Sequence, residues 1–358
     1  MSSNKYSIHK IAWFPEKLES FRKGTVTAPI YVRVKPTNRC NHDCFFCVYK
    51  ASFSGMHELS PDRETNYVGK VAELTTDKLL EIVEDFHTMG VKATTYSGGG
   101  EPLMHGGIVR VMERTLELGI DLSIITNGQL LLGDRAKILG KAKWVRVSVD
   151  YQNAEQMHQH RNVPERMFEA LLKNLKEFSA LKDPGCNLFL NYIVHKGNFS
   201  GLLDAAHLFK EHGAENVRFS PMWVPGIQEY HAPIKEVVET QLKAAQALCN
   251  DKFSVNTTYD LTSSAHSTKR GYHKCLFMQI VPVVAADGNV YACHNKAYDA
   301  KGMIGSINHQ RFADLWFSDE TKKFFETLDP TVACQHQCAN DEKNVLMHDI
   351  LSAHDNFI

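Results

Sequence analysis

Apolar and polar positions along the chain switch between two periods, one of two residues and one of about 3.6, and the order of the switches predicts the elements. Residues 30–35 alternate apolar and polar and run into Pro36, as a strand entering a loop does. From residue 76 the pattern becomes regular. Thr76 or Asp77 is placed to cap a helix with the stripe Leu79, Ile82, Val83 and Phe86, and Gly90 ends it before a strand over 91–96. A helix from about 108 stops at Gly119 before a strand over 122–126, and a helical piece over 134–139 precedes a strand over 144–149. A longer helix, 166–181, leads to a strand over 188–194; a helix over 201–211 stops at Gly213 before a strand over 216–220. Glycine just past a helix supplies the left-handed position at little steric cost, so Gly90, Gly119 and Gly213 mark boundaries.

Six strands, five of them preceded by a helix or helical piece, imply an α/β fold with a parallel sheet and right-handed crossovers. Six units are too few to close an eight-stranded barrel, so the expected architecture is a partial (β/α)6 barrel. The expected divisions are a lead-in over 1–29 with an apolar patch at 11–14, the barrel over 30–225, and a helix (234–248) and linker over 226–274. A small Cys-rich domain containing a β-hairpin follows over 275–358. Residues 49–73 lack a clean period and are expected to be an insertion near the mouth of the site.

The composition is that of a soluble globular protein: 358 residues, 43% hydrophobic, 23% charged, net charge −1. Such a balance gives no bulk electrostatic footprint for nucleic acid or an anionic membrane. No stretch reaches the length of a membrane span, and residues 1–10 have no apolar core of a signal peptide, so a cytoplasmic location is expected. In that setting nine cysteines point to metal binding rather than a disulfide framework.

Three of them, Cys40, Cys44 and Cys47, follow directly on the first strand. Thiolates suit iron–sulfur clusters and zinc, and either ordinarily takes four protein ligands. No fourth cysteine lies nearby; the next is Cys186. Three thiolates on a 4Fe–4S cube leave one iron open to a ligand that is not protein, and a zinc loop borrowing a distant ligand is the alternative. The arrangement CxxxCxxC, with Phe46 before the last cysteine, resembles the cluster loop of the radical S-adenosylmethionine (SAM) enzymes. The resemblance implies that the open iron is chelated by the amino and carboxylate groups of SAM.

The same resemblance extends to the strand ends, where such sheets collect their chemistry. Gly98-Gly99-Gly100-Glu101-Pro102 after the second strand resembles the family's glycine-rich motif, which implies that Gly99, Gly100 and Glu101 bind the methionine amino group. Asn127 after the third strand and Ser148 in the fourth resemble polar strand-end contacts to SAM, and Asn191 in the fifth is a further candidate; Asn127 and Asp150 also suit plain turns. Arg161 is placed to clamp the SAM carboxylate, or to stand solvated at a helix start.

In the last third, apolar runs flank Ala286-Asp287-Gly288, a hairpin turn signal that brings Cys275 and Cys293 near each other. Cys334 and Cys338 complete a set of four. This stretch, with 305–316 after it, resembles the SPASM auxiliary-cluster extension in its shortened "twitch" form, which implies one auxiliary 4Fe–4S cluster; tetrahedral zinc is the alternative.

Taken together the resemblance implies reductive cleavage of SAM to a 5′-deoxyadenosyl radical that abstracts a hydrogen atom from a substrate carbon, with flavodoxin or ferredoxin as reductant. A four-cysteine auxiliary cluster suits electron transfer, which favours oxidation or epimerisation, and the resemblance to twitch enzymes implies a small carbohydrate-like or other small-molecule substrate. The alternatives are a maturase modifying a ribosomally made peptide and a non-catalytic iron–sulfur or zinc protein. His57, Glu58, His105, Trp223, Glu229 and Tyr230 lie in loops able to face a substrate, and none is assigned a catalytic role. Cys249 is expected to be packed on its helix and Cys186 to be inert.

Overall fold

The computed structural model describes residues 7–49 and 72–353, so His57 and Glu58, with most of the expected insertion, lie outside the described residues. Short helical turns, Ile8–Trp13 and α1 (Pro15–Arg22), precede the barrel. Six parallel strands follow where the period of two placed them: β1 (Tyr31–Val34), β2 (Ala93–Tyr96), β3 (Asp121–Thr126), β4 (Trp144–Val149), β5 (Asn187–Val194) and β6 (Asn216–Pro221). The crossovers are α2 (Thr76–Met89), α3 (Ile108–Glu117), α4 (Gly133–Leu139), α5 (Ala154–Arg161), α6 (Arg166–Leu181) and α7 (Leu202–Glu211).

The stripe of α2 is as expected: Leu79, Ile82, Val83 and Phe86 are all buried at 1% exposure or less, each stabilising by about 1.5–3 kcal/mol. Its cap differs. Thr75, in extended backbone, accepts from the Lys78 amide, which leaves Thr76 and Asp77 inside the first turn. Gly90 takes φ +77° and ends the helix as predicted.

Two features go beyond the sequence pattern. A seventh strand, β7 (Ser254–Thr257), lies within the expected linker, after α8 (Ile227–His231) and α9 (Lys235–Gln246), and pairs parallel with β6. Its Ser-Val-Asn-Thr carries one apolar residue, too little for a readable period. The hairpin β8 (Val283–Val284) and β9 (Asn289–Tyr291), with β10 (Met303–Ser306), then joins the same sheet on the free side of β1, giving the order β10-β9-β8-β1-β2-β3-β4-β5-β6-β7. Asp287-Gly288 makes the hairpin turn, with Gly288 at φ +76°.

The C-terminal helices are α10 (Phe312–Trp316), α11 (Asp319–Thr327), α12 (Pro330–Ala333) and α13 (Asp341–Ser352). Buried Asp85 of α2 caps α10: its carboxylate accepts from the Phe312 amide (2.9 Å) and from Arg311 Nε (2.8 Å). Phe86 meets Phe312 edge-on at 5.2 Å between ring centres, and Trp316 Nε1 donates to the Thr27 carbonyl. The C-terminal region is thereby seated on the barrel's outer layer.

The faces of the sheet differ. Val32, Val34, Tyr96, Leu122, Ile124, Val145, Val147, Leu190 and Val217 are buried in the main core, on the face covered by helices. The inner face mixes polar residues such as Thr95, Ser123, Ser148, Asn191 and Ser220 with Ile125, Trp144 and Phe189, and a separate apolar cluster of Val283, Ala285, Tyr291, Ala297 and Tyr298 lies by the hairpin.

Candidate active site

The cysteine loop leaves the C-terminal end of β1 and is held from two sides. From one side come the glycines after β2. Gly100 N donates to the Thr37 carbonyl (3.0 Å) and Glu101 N to the Arg39 carbonyl (2.8 Å). A side chain would break this seat: a Cβ on Gly100 would lie 2.0 Å from the Arg39 carbonyl oxygen, and one on Gly99 1.9 Å from Asn38 Oδ1. The glycines are required because one loop lies directly on the other.

Glu101 is buried and joins three elements. Its carboxylate accepts from Thr126 Oγ1 (2.7 Å) and the amides of Asn127 (2.7 Å) and Leu103 (3.0 Å). Burial raises its pKa against the pull of those donors. Asn127 Nδ2 donates to Asn41 Oδ1 (2.7 Å), which ties the end of β3 to the cysteine loop.

From the other side comes α5. Asn153 caps it and Asn162, at φ +50°, ends it, so the chain doubles back and returns His160 and Arg161 to Asp150. Arg161 Nε donates to Asp150 Oδ1 at 2.6 Å, and its Nη2 to the Ser148 carbonyl at 3.1 Å. The backbone carbonyls of Arg161 and His160 accept from Asp43 N (2.9 Å) and Phe45 N (3.2 Å). Phe45 packs on the rings of His160 and His195, and the Arg161 guanidinium lies 5.4 Å from the Phe46 ring centre.

Asp150, His160 and His195 form a buried triad whose ligand-type atoms lie within 4.8 Å of one another. Its one hydrogen bond between members runs to the main chain, from His160 Nδ1 to the Asp150 carbonyl (3.0 Å). The Gly197 amide donates to His195 Nδ1 (3.0 Å), which leaves the proton on Nε2, facing Asp150 Oδ2 at 3.7 Å; His160 Nδ1 faces the same oxygen at 3.1 Å. Burial opposes the Asp150 charge, yet Arg161 and both imidazoles hold its pKa well below the carboxylate range.

None of the nine cysteines is in a disulfide. Burial pushes Cys44 up to about 12, and the charges of Cys47 and Cys40 add to it while Arg161 opposes. The last third repeats the pattern. Burial raises Cys275 well above its ordinary value, with Cys293, Cys334 and Cys338 each adding. Cys293 is pushed up to about 12 and Cys334 to about 11, again by burial first, and Cys338 is raised. Buried thiols such as Cys44, Cys275, Cys293 and Cys334 become ligands readily only beside a cationic metal, and three plus four soft donors fit iron–sulfur clusters. The two regions touch: Tyr298, five residues past Cys293, donates its hydroxyl to Asn38 Oδ1, and its ring meets Tyr49 edge-on at 5.8 Å.

Residues 34–209 match the radical SAM superfamily, and residues 275–340 match the SPASM iron–sulfur cluster-binding domain. The chain belongs to the radical SAM superfamily. It carries a radical SAM domain followed by a C-terminal SPASM domain, and its cofactors are SAM and 4Fe–4S clusters. It is 30% identical over 191 residues to a GTP 3′,8-cyclase of Aquifex aeolicus, covering 51% of this chain and 53% of that protein. It is 27% identical over 179 residues to a PqqA peptide cyclase of Granulibacter bethesdensis, covering 50% and 43%. The chain thus spans about half the length of the curated relatives it matches. Among solved structures, Streptococcus suis SuiB bound to precursor peptide SuiA superposes with a TM-score of 0.61 at 16% identity, over 87% of this chain and 70% of that one. The structure of anSMEcpe with bound AdoMet and Cp18Cys peptide gives 0.58 at 18%, over 90% and 96%. At such identities the likeness is one of fold.

In this radical SAM chain the structure brings Cys40, Cys44, Cys47, Phe46, Gly99, Gly100, Glu101, Asn127 and Arg161 together around one loop. Ser148 and Asn191 are paired neighbours on the inner face of the sheet. Arg161 is engaged by buried Asp150, a partner the sequence did not suggest. His105 is a structural residue: its Nε2 bonds the Leu74 carbonyl (2.8 Å) and its Nδ1 accepts from Gly107 N. Trp223 packs against the core, and the Tyr230 hydroxyl accepts from Lys196 N. Glu229 lines a cavity of about 360 Å³ with Gln228, Leu261, Thr262, Ser263 and His266. Cys186 is buried; Cys249, expected to be packed on its helix, instead lies exposed just past the end of α9 and accepts from Val255 N through its sulfur. His160, His195 and Asp150 were not recognised as a group, because α5 shows no apolar stripe and only its fold brings them together.

Proposed function

We propose that this radical SAM enzyme oxidises or epimerises a small, polar, carbohydrate-like molecule, with Cys40, Cys44 and Cys47 holding the SAM-binding cluster and Cys275, Cys293, Cys334 and Cys338 one auxiliary cluster. When bound, these groups supply a 5′-deoxyadenosyl radical to take a hydrogen atom from a substrate carbon and an acceptor for the second electron of an oxidation. Gly99, Gly100, Glu101, Asn127, Ser148, Arg161 and Asn191 remain the proposed SAM contacts. A flavodoxin or ferredoxin is the proposed reductant.

The observation that carries the substrate reading is the inner face of the sheet. Beyond the proposed SAM contacts Ser148 and Asn191, Ser220 and Thr258 extend the polar surface: Ser220 donates to Asn191 Oδ1 (3.3 Å), and Thr258 donates to Ser220 (2.9 Å). Hydroxyl and amide groups of this kind suit the hydroxyls of a sugar. The Cys338 amide donates to the Ala265 carbonyl (2.9 Å), so the second cysteine loop adjoins the wall of the Glu229 cavity. A peptide substrate is the second reading, favoured by the similarity to a PqqA peptide cyclase.

Reconstituted protein is to be incubated with dithionite, SAM and pools of polyols, sugar phosphates or peptides. Faster 5′-deoxyadenosine release with the small molecules, and deuterium transfer into it from labelled substrate, supports the proposal. Acceleration by peptides alone overturns it.

A further inference from the structure

Among the described residues four lysines and arginines are buried: Lys35, Arg161, Arg270 and Lys296. Three have a carboxylate partner, Arg161 with Asp150, Arg270 with Asp341 and Lys296 with Asp299. Lys35, at 0% exposure, differs. Its ammonium donates to two neutral oxygens, the Gly98 carbonyl (2.8 Å) and the Tyr49 hydroxyl, and among the described residues it makes no ion pair. A buried ammonium is costly unless a negative charge stands close.

The surroundings of Lys35 are those of the first cysteine site. It directly follows β1, and its amide donates to the Val284 carbonyl of β8 (2.8 Å). Gly98 precedes the glycines on which the cysteine loop is seated, and Tyr49 lies two residues past Cys47. From the C-terminal region the Tyr298 ring centre comes within 5.6 Å of the ammonium. Burial, then the Arg33 charge, lowers the Lys35 pKa well below the usual lysine value, and the charges of Cys47 and Asp287 raise it. Asp287 is engaged in its own hairpin turn, where it accepts from the Asn289 amide (3.1 Å) and the Tyr291 hydroxyl (2.6 Å).

We propose that Lys35 is the internal counter-charge of the SAM-binding cluster, held by the Gly98 carbonyl and the Tyr49 hydroxyl so that it stabilises the cluster's reduced state. The inference rests on the assignment of Cys40, Cys44 and Cys47 to that cluster and adds a tuning residue outside their loop. Three thiolates on an oxidised 4Fe–4S core leave a net negative charge, and the electron taken from the reductant increases it. A fixed cation nearby favours that uptake, more strongly in a dry site than in water. Lysine and cluster thus offset each other's burial: without the cluster the ammonium is unmatched, and without the ammonium the cluster's charge is.

The test is a potentiometric titration of the reconstituted full chain followed by electron paramagnetic resonance, in which the cluster whose signal changes on adding SAM is the first. Lys35→Met and Lys35→Gln, which remove the charge, should each make reduction of that cluster at least tenfold less favourable, about 59 mV for one electron, and leave the second cluster's potential unchanged. Glutamine keeps a donor for the Gly98 carbonyl and so separates charge from hydrogen bonding. A lysine that only braces the loop would leave the potential where it is. An unchanged first potential, a wild-type potential in Lys35→Gln, or an equal shift in the second cluster overturns the inference. Where a variant assembles no first cluster, urea unfolding of its cluster-free form decides: stability at or above that of cluster-free wild type supports the counter-charge, and lower stability overturns it. A wild type with no SAM-sensitive cluster sinks the assignment of the site itself; a SAM-sensitive cluster with an unmoved potential sinks this inference alone.

Discussion

Replacing Asp150 by asparagine perturbs the group that holds the cysteine loop from the α5 side. In the native chain its carboxylate meets Arg161 Nε at 2.6 Å, with 0% and 4% of the two side chains exposed. The substitution leaves the guanidinium buried without its counter-charge and removes the acceptor facing His160 and His195. Breaking a buried pair by removing one partner costs about 3–5 kcal/mol, a large part of the 5–15 kcal/mol typical of a domain. Urea unfolding of the cluster-free full chain, followed by circular dichroism, measures the loss. The double variant Asp150→Asn/Arg161→Gln should recover much of it, because no charge is then left buried alone. The pH dependence has a definite sign. Asp150 has its folded pKa depressed, so its contribution is complete above the unfolded value of about 3.9 and is lost as pH falls below it. The gap between wild type and Asp150→Asn should therefore narrow below about pH 4. A cost under about 1 kcal/mol, or a gap constant down to pH 3, would refute the assigned role of the pair.

Gly100→Ala, whose Cβ would lie 2.0 Å from the Arg39 carbonyl oxygen, should cost about 1–3 kcal/mol or more and lower iron bound at the first site while sparing the second; unchanged iron in both would contradict the loop-on-loop seat. Asp85→Asn, at the cap of α10, should destabilise by about 1–3 kcal/mol and speed proteolysis near residue 311, so an unchanged cleavage rate would count against the docking described. Cys334→Ala/Cys338→Ala should lose about half of the iron expected for two four-iron clusters yet still release 5′-deoxyadenosine with dithionite. Loss of all iron would mean that the sites are not separable.

The barrel was legible because its helices are long and its strands are buried on one face. The α2 stripe and the helix-ending Gly90, Gly119 and Gly213, all with positive φ, are local signals that tertiary contacts reinforce. β7 and the pairing of β8 with β1 were not legible: a four-residue edge strand has almost no period, and partner choice is not written in a strand's own residues. The seven clustered cysteines announced themselves by spacing. What holds the first loop did not, since Asp150, His160, Arg161 and His195 depend on an eight-residue helix with one buried apolar residue, Met157.

The most direct measurement is SAM cleavage by the anaerobically reconstituted enzyme under dithionite. Wild type should release 5′-deoxyadenosine and methionine in equal amounts, and Cys40→Ala/Cys44→Ala/Cys47→Ala should release neither while keeping the iron of the second site. Cleavage by that triple variant, or zinc in place of iron at the first site of the wild type, would contradict the assignment.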